Sequence, residues 1–370
     1  MYKRFHALAS LGLVLALGLS ACGGGQDGKA QKAQTRSAEE LKAILSAKPS
    51  GQKIVVATNN NGSEREAWLQ ESASKAGFNI EVVPLGGGAI TARVIAESSN
   101  PTLNVVWGPS EEQFASMVEK ETLEPFTPDW ADKVKDLSKA NGYSWPYEVQ
   151  PKLLIANPDL YTLENGPKSY KDLWEKPEFH GKYAVPTKFD GTTDRSIVGN
   201  ILGQYLDEKG ELGVSEEGWK AIKAFFDNGY KTPAGEDSFD NMVKGKTPIT
   251  YIYAAGIQPK SQAFGLSKPA TICYVAEGEP SNTNQIAVVK NSNQQVVEES
   301  LRFANWLGSA EVMGDYSARN GNIVANVDAQ EQMTPLAKEI KEKFKPSQLD
   351  WTYINKMMDD WVAKIQLEIY

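Results

Sequence analysis

Residues 53–58 (KIVVAT), followed by residues 59–62 (NNNG), indicate the fold class of this chain. The unbroken run of apolar and β-branched residues is typical of a strand buried on both faces of a parallel sheet. Ser63 and Glu66 then have the spacing of a capping box, which predicts a helix directly after the strand. A buried strand joined to a helix by a short polar loop indicates an α/β fold.

The same strand-then-helix pattern recurs along the chain. Residues 79–85 and 103–107 are predicted to form further strands, and Ser110 and Gln113 have the spacing to cap the next helix. A second series has strands predicted at residues 152–156, 183–185 and 249–253. Strands that alternate with helices predict parallel sheets covered by helices on both faces.

Length and composition narrow the class of protein. The chain has 370 residues and a formal net charge of −8 at pH 7. One hydrophobic core seldom supports this length, so two domains are expected. The acidic balance argues against nucleic-acid binding. Cys273 is interpreted as a buried strand residue. We predict no metal and no cofactor, and we expect a monomer.

The amino terminus has the features of an export signal. Residues 1–21 combine a basic start at Lys3 and Arg4 with an apolar stretch at residues 8–19, so they are predicted to be a signal peptide. Residues 19–22 (LSAC) resemble the lipobox of bacterial lipoproteins, which implies a lipid on Cys22 and a membrane-anchored protein outside the cytoplasm. The alternatives are an ordinary signal with an incidental cysteine, or a short membrane anchor. Residues 22–51 are predicted to be a flexible linker.

Polar loops follow two of the predicted strands. Ligands of open α/β sheets bind beyond the carboxyl ends of the strands. Asn59, Asn60 and Asn61 follow the first strand, and Ser110 opens the helix after another. The sequence therefore predicts that these four residues contact a ligand.

A third loop has the composition of an anion site. Asp190, Gly191, Thr192 and Thr193 precede a helical apolar pattern, so Thr192 or Thr193 is predicted to cap that helix. Unpaired N–H groups at a helix start attract anions. A routine helix cap is the alternative interpretation.

Aromatic residues lie near the predicted strand ends. Trp107, Trp145, Tyr147 and Tyr251 are candidates for a wall that stacks on a sugar ring or an organic cation, and Tyr253 shares a strand face with Tyr251. Core packing is the competing explanation for each. Together with the anion site, such a wall favours an organic solute that carries a phosphate, phosphonate or carboxylate.

The order of the segments resembles the branch of extracellular solute-binding proteins that bind ferric ion, phosphonates, sugar phosphates or thiamine. The segments that carry this resemblance are residues 103–108, 153–160, 169–174, 181–186, 277–284 and 296–308. The resemblance places residues 190–193 at that family's Ser-Gly-Thr loop and residues 277–284 at its Gly-Pro-Asn-type loop, in which Ser281 and Asn282 are candidate ligand contacts. It implies a periplasmic binding protein-like II fold, whose two lobes close on a solute and present it to an ABC permease.

The resemblance also implies domain boundaries. Residues 52–149 and 275–330 are assigned to lobe 1, and residues 150–274 to lobe 2. Crossover strands would join the lobes, with the ligand cleft between them. Residues 331–370 have an amphipathic helical pattern and are predicted to pack on a lobe or on the hinge.

Other functions stay open at this point. Tyr251 and Tyr253 leave ferric iron as an alternative cargo, although the chain has no adjacent pair of tyrosines. An exported hydrolase would need a nucleophile with its base, and His180 is the single histidine after the signal peptide. A structural lipoprotein would show repeats or all-β patterning, which this sequence does not.

Overall fold

The computed structural model describes residues 36–60, 62–134, 142–189 and 191–369. The predicted signal peptide (residues 1–21), Cys22, Asn61 and Asp190 lie outside these ranges.

The strands are β1 (Ile54–Thr58), β2 (Ile80–Pro84), β3 (Val105–Ser110), β4 (Ser144–Ala156), β5 (Ala184–Val185), β6 (Leu206–Glu211), β7 (Tyr230–Lys231), β8 (Ile249–Tyr253), β9 (Thr271–Cys273), β10 (Ser281–Val288) and β11 (Ile323–Val324). The helices are α1 (Ala38–Ser46), α2 (Ser63–Lys75), α3 (Gly87–Ala96), α4 (Glu111–Glu119), α5 (Asp172–Glu175), α6 (Thr192–Leu202), α7 (Glu216–Asn228), α8 (Ser238–Val243), α9 (Ala254–Ala263), α10 (Gln294–Leu307), α11 (Ala310–Asn320), α12 (Pro335–Lys343) and α13 (Trp351–Glu368).

A mixed sheet forms the centre of the first lobe, with strand order β11-β4-β10-β3-β1-β2. β1 pairs in parallel with β2 and with β3, so Thr58 lies opposite both Pro84 and Trp107. β10 runs antiparallel between β3 and β4. The carboxyl ends of β1 and β3 are therefore neighbours at one edge of the sheet, and the loops that follow them can meet.

β4 is long enough to take part in both lobes. Its first half pairs with β10 and β11, whereas residues 152–156 pair with β8 and residues 154–156 with β9. The second half of β4, β8 and β9 form the sheet of the second lobe. The chain returns through residues 274–280, which we name the crossover segment. The lobe boundaries predicted at residues 149 and 274 stay predictions.

The two C-terminal helices pack in different places. α12 contacts β11 of the first lobe and α9 of the second lobe, and it buries Ala337 and Ile340 in a core that contains residues of β1, β3, β8 and β10. α13 buries Ile354, Met358 and Trp361 in the core of the second lobe, against α6. Residues 331–370 therefore do not pack on a single lobe. Within the described ranges, no helix is both long and apolar enough to cross a membrane.

The predicted linker contains a helix, so the prediction of a flexible segment over all of residues 22–51 is wrong. Ser37 and Glu40 form a capping box at the start of α1. Leu45 is buried in the first-lobe core, and α1 packs against α10. Arg36 forms a largely buried ion pair with Glu124 at 3.3 Å. An amphipathic helix that buries its apolar face stays ordered in spite of polar surroundings.

One of the two predicted capping boxes is confirmed. Ser110 accepts from the third residue of α4, and the Gln113 side chain accepts from the Ser110 N–H at 3.0 Å. At α2 the cap is Gly62 and not Ser63. Gly62 has φ = 132°, a conformation that glycine adopts readily and other residues avoid, so the glycine sets the start of this helix.

Candidate functional site

The loops after β1 and β3 meet at the edge of the first lobe. A Cβ atom on Gly108 would lie 2.0 Å from Asn59 Oδ1, and Gly108 has φ = 122°, so only glycine allows this approach. Asn60 is buried and donates from Nδ2 to the Tyr147 hydroxyl at 2.8 Å. The structure thus places Asn59 and Asn60 beside the β3 loop, as the sheet order predicts.

Arg65 reaches from this edge to the second lobe. It lies near the start of α2, and its Nη2 donates to the Ala255 carbonyl of α9 at 3.3 Å. In a regular helix that carbonyl would accept from the N–H of residue 259. Residue 259 is a proline inside α9 and has no N–H. The proline thus leaves an acceptor that an arginine from the other lobe contacts.

The buried carboxyl group of Glu148 lies close enough to Arg65 for the two charges to interact. Glu148 on β4 is 0% exposed and accepts from Asn322 Nδ2 at 2.5 Å and from Asn284 Nδ2 at 3.2 Å. Burial raises the pKa of Glu148, while the Arg65 charge and the two amide donors oppose that rise. Burial lowers the pKa of Arg65, but Tyr316 and Glu148 outweigh it, so the net shift is upward and Arg65 stays charged.

α6 begins in the second lobe at the loop that the sequence predicts to bind an anion. Its N-cap residue is Gly191, which has no side chain to accept from the helix, and Thr192 and Thr193 are its first two residues. The prediction that a threonine caps this helix is therefore wrong. Thr192 is exposed and Thr193 half-buried, so both lie at the surface of the lobe.

Tyr251 and Tyr253 lie on β8, between the start of α6 and the start of α9. The Tyr251 hydroxyl donates to Asp194 Oδ1 in the first turn of α6 at 2.8 Å. Tyr253 is the N-cap residue of α9, the helix whose Ala255 carbonyl accepts from Arg65. Both side chains are half-buried and lie on one face of β8, because they are two residues apart on a strand.

The predicted aromatic wall is largely core. Trp107 is 1% exposed, with ring centroids 5.3 Å from Tyr147 and 5.4 Å from Tyr316. Trp145 is 8% exposed and donates from Nε1 to the Phe126 carbonyl at 2.8 Å. These rings have no open face for a solute, so core packing explains Trp107, Trp145 and Tyr147.

Ser281 and Asn282, predicted to contact the ligand, lie where β10 begins beside β4. Ser281 and Asn282 are half-buried and pair with Pro151 and Gln150. Asn282 Nδ2 donates to Asn284 Oδ1 at 2.7 Å. Ser110 is 7% exposed and is used as the cap of α4. These residues surround the junction of the lobes, and Asn282 joins the amide network around Glu148.

Lys152 lies on β4 at the same junction. The side chain is 1% exposed, and Nζ donates to the Gln150 carbonyl at 3.0 Å. Burial lowers the pKa of Lys152 to about 8, against the opposing charges of Glu112, Glu111 and Glu148. A buried ammonium group of this kind makes the junction sensitive to pH.

We expect the free energy of unfolding to rise with pH as Lys152 loses its proton. The folded chain binds this proton less tightly than the unfolded chain, whose pKa has the ordinary value of 10.5. The contribution of neutral Lys152 to the free energy of unfolding is therefore fully present above pH 10.5. It is lost as the pH falls through 8, where the folded chain takes up the proton. The shift corresponds to about 3 kcal/mol.

Urea unfolding of the wild type and of Lys152→Met checks this expectation. Near pH 7 the methionine variant should be more stable than the wild type, and near pH 10 the difference should shrink. A difference that does not change with pH would contradict a buried charge at this position.

The sequence interpretation missed Arg65, Glu148 and Lys152. Arg65 carried a signal, because a cation in the first turn of a helix is disfavoured by the helix dipole and so requires another explanation. Glu148 and Lys152 gave no comparable signal, since their burial depends on the junction of the two lobes.

Sequence comparison assigns the family. A family model described as "Bacterial extracellular solute-binding protein" matches residues 67–345. The probable ABC transporter periplasmic-binding protein y4fP of Sinorhizobium fredii is 30% identical over 310 residues, which cover 83% of this chain and 84% of that protein.

Solved structures share the fold at low identity. Iron-bound HitA from Pseudomonas aeruginosa matches with a TM-score of 0.67 at 15% identity, over 85% of this chain and 99% of that one. AfuA from Actinobacillus pleuropneumoniae, with fructose-6-phosphate bound, matches with a TM-score of 0.65 at 16% identity, over 85% and 99%. The predicted two-lobed fold of the periplasmic binding proteins is confirmed. The chain belongs to the family of bacterial extracellular solute-binding proteins.

Proposed function

We propose that this chain is the solute-binding component of an ABC importer and that it holds a small anionic organic solute between its lobes. The family and the naming of the Sinorhizobium relative as an ABC transporter periplasmic-binding protein support the transport role. The position of Arg65 supports the anionic class. Counting the described residues alone, its guanidinium uses one of five N–H donors, in a half-buried position between the lobes.

The second contact to the anion comes from α6. A helix start carries a partial positive charge, and the glycine at the cap leaves room for a solute atom next to the first N–H groups. Asp194 in the same turn opposes an anion, but its carboxylate accepts from the Tyr251 hydroxyl at 2.8 Å. The hydroxyl reduces the effect of that charge on the solute.

The distance between Arg65 and the start of α6 favours an organic solute several bonds long over an inorganic anion. Tyr251 and Tyr253 lie about 7 Å apart along β8 and connect the α6 start with Arg65. Asn59, half-buried at the same first-lobe edge as Arg65, offers an amide to neutral groups such as hydroxyls. A sugar phosphate or a compound of similar length fits this arrangement. A solute that contacts Arg65 and α6 together favours the closed arrangement of the lobes.

A panel of matched compounds tests the proposal. Each pair would contain a phosphate, phosphonate or carboxylate and its neutral parent, and the melting temperature of the purified protein would be recorded with each. Ligands that bind the native state raise the melting temperature by mass action. We expect a rise with one or a few anionic members. An equal rise with the neutral parent, or no rise across a broad panel, would count against an anion site.

Thr192→Asp should separate binding from stability. A carboxylate in the first turn stabilises a helix through its dipole, so the free energy of unfolding should stay level or rise by about 0.5 kcal/mol. The same charge repels an anionic solute, and the affinity should fall at least about ten-fold. Titration calorimetry and urea unfolding measure the two effects. Thr192→Asn is the matched neutral control, and equal affinity of the two variants would exclude α6 as the contact.

Ferric iron is a second candidate cargo. The Tyr251 hydroxyl and the Asp194 carboxylate are hard oxygen ligands in direct contact, with Tyr253 nearby on the same strand face. The solved structure of HitA contains bound iron. A visible absorption band on adding ferric citrate, lost in Tyr251→Phe, would favour iron over an organic anion.

The proposal includes a lipid on Cys22 that keeps the binder at the membrane outside the cytoplasm. Its basis is the sequence at residues 19–22, followed by a polar segment that leads to α1. Metabolic labelling with a radioactive fatty acid tests it. Label in the wild type but not in Cys22→Ser is the expected outcome, and label in both would exclude this cysteine.

A further inference from the structure

Two residues that are unfavourable in their own helices meet at one contact. Arg65 lies in the first turn of α2, where the helix dipole disfavours a cation. Pro259 lies inside α9, and proline is the least favourable residue in a helix interior. The hydrogen bond from Arg65 Nη2 to the Ala255 carbonyl, at 3.3 Å, joins the two helices. Residues that break local rules in this way are expected at functional sites.

Burial does not explain Pro259. Its side chain is exposed, so it adds little to a hydrophobic core. The packing of α9 comes from other residues, among which Ala254 is 4% exposed and Ile257 is 1% exposed. An exposed proline removes a helical hydrogen bond without apolar burial to offset the loss. The presence of proline at residue 259 therefore requires another explanation.

The effect of Pro259 falls on the carbonyl that Arg65 contacts. A helical carbonyl accepts from the N–H four residues later, which for Ala255 is residue 259. Proline has no N–H, and its ring crowds that same carbonyl. An alanine at residue 259 would supply the N–H and allow the carbonyl its regular direction along the helix. Pro259 thus makes the Ala255 carbonyl an acceptor for a donor outside α9.

Packing on both lobes holds this acceptor in place. α9 follows β8 of the second-lobe sheet and also contacts α11 of the first lobe. A Cβ atom on Gly321, the C-cap residue of α11, would lie 3.2 Å from Gln258 Oε1. Ala255 itself is 1% exposed. The carbonyl is therefore a fixed point to which a long side chain can be attached.

Arg65 needs a directional contact to keep one orientation. The side chain of arginine has many rotamers, and ordering it when a solute binds lowers the affinity. Glu148 attracts the guanidinium through its charge, but such an attraction depends little on direction. A hydrogen bond to a carbonyl is directional.

We propose that Pro259 is a positioning residue of the solute site, which presents the Ala255 carbonyl to Arg65 and so holds the guanidinium in one orientation for the solute. This inference rests on the proposed function, in which Arg65 contacts an anionic group. Pro259 itself touches no solute and acts through Arg65.

Nitrogen-15 NMR of the full chain, labelled in arginine and without solute, tests the positioning. A guanidinium held by a hydrogen bond rotates slowly about its Cζ–Nε bond. The signal of Arg65, identified by its loss in Arg65→Met, should show rotation that is about ten-fold faster in Pro259→Ala. Pro335→Ala is the matched control, because Pro335 is the first residue of α12, where the missing N–H breaks no helical hydrogen bond.

Stability and affinity should change in opposite directions in Pro259→Ala. The urea midpoint should rise, because alanine favours a helix and proline does not. The affinity for the anionic compound with the largest rise in melting temperature should fall about ten-fold, since one hydrogen bond to a charged group is lost. In an Arg65→Met background, Pro259→Ala should change the affinity no further. A proline that only stabilised the fold would give a lower midpoint on replacement.

Wild-type rotation of the Arg65 group in Pro259→Ala would overturn the inference. Wild-type affinity in that variant, or an equal change in Pro335→Ala, would overturn it as well. Pro259→Gly supplies the same N–H with a weaker preference for helix, so it should give the same faster rotation with a smaller rise in midpoint. If no anionic compound binds the wild type, the proposed function fails, whereas the NMR comparison still decides whether Pro259 positions Arg65.

Discussion

Arg65→Met is expected to weaken binding of the cleft solute by about a hundred-fold. Methionine keeps the unbranched stem of the side chain and removes all five donors and the charge. Two charge-assisted hydrogen bonds to an anionic group contribute about 3 kcal/mol, which corresponds to that factor. Titration calorimetry with the anionic compound that gives the largest rise in melting temperature measures the loss. The affinity of Arg65→Lys should lie between those of the wild type and Arg65→Met, because lysine keeps the charge without the planar donor pair.

Arg93→Met is the matched control for this experiment. Arg93 lies on α3 and donates to Glu97 at 2.9 Å and to Thr102 at 2.8 Å, within the first lobe and away from Ala255. Its loss should leave the affinity unchanged. A comparable loss in both variants would show an effect of net charge instead of a contact, and wild-type affinity in Arg65→Met would remove Arg65 from the site.

Trp361→Ala is expected to destabilise the chain by about 4 kcal/mol. The indole is 0% exposed in the second-lobe core, and its Nε1 donates to the Leu212 carbonyl at 2.9 Å. The substitution opens a large cavity and leaves that carbonyl without its donor. Urea unfolding followed by circular dichroism measures the change. A loss of this size would show that α13 is part of the second lobe and not an appendage.

Trp219→Ala is the control for the C-terminal helix. Trp219 also donates from Nε1 to a backbone carbonyl, that of Glu211 at 3.0 Å, but its ring is half-buried and lies under Lys364 on the surface. The Trp219→Ala substitution should lower the free energy of unfolding by about 1 kcal/mol. If both substitutions cost the same, burial of Trp361 against α6 does not stabilise the fold as described.

The strands that a short window of sequence could predict are those buried on both faces. β1 falls within its predicted segment, and β3 begins within its own but runs on to Ser110, because parallel buried strands are apolar throughout and the polar end of β3 is not. β4 was predicted only over residues 152–156, yet it begins at Ser144. Pro146 and Pro151 argue against a continuous strand. In the structure, Pro146 lies opposite a register shift in β10, where the missing N–H breaks no regular ladder.

Only part of the candidate site could be predicted from local sequence patterns. Asn59, Asn60 and Thr192 were predicted because loops after parallel strands and helix starts have a known place in such folds. Trp107 and Tyr147 were assigned to a wall, but which face of a strand points into a cleft depends on the packing of α2 and α11 behind it. Arg65 required the arrangement of both lobes, since its acceptor is a carbonyl that Pro259 leaves without its helical donor.

Native mass spectrometry of the protein, purified with the solute that it carries, shows directly whether an anionic solute is held between the lobes. We expect one bound small molecule for each chain, with a phosphate, phosphonate or carboxylate group, and no such molecule on Arg65→Met. The same measurement identifies the solute. A neutral or cationic molecule, retained equally by the wild type and by Arg65→Met, would contradict an anionic solute held between the lobes.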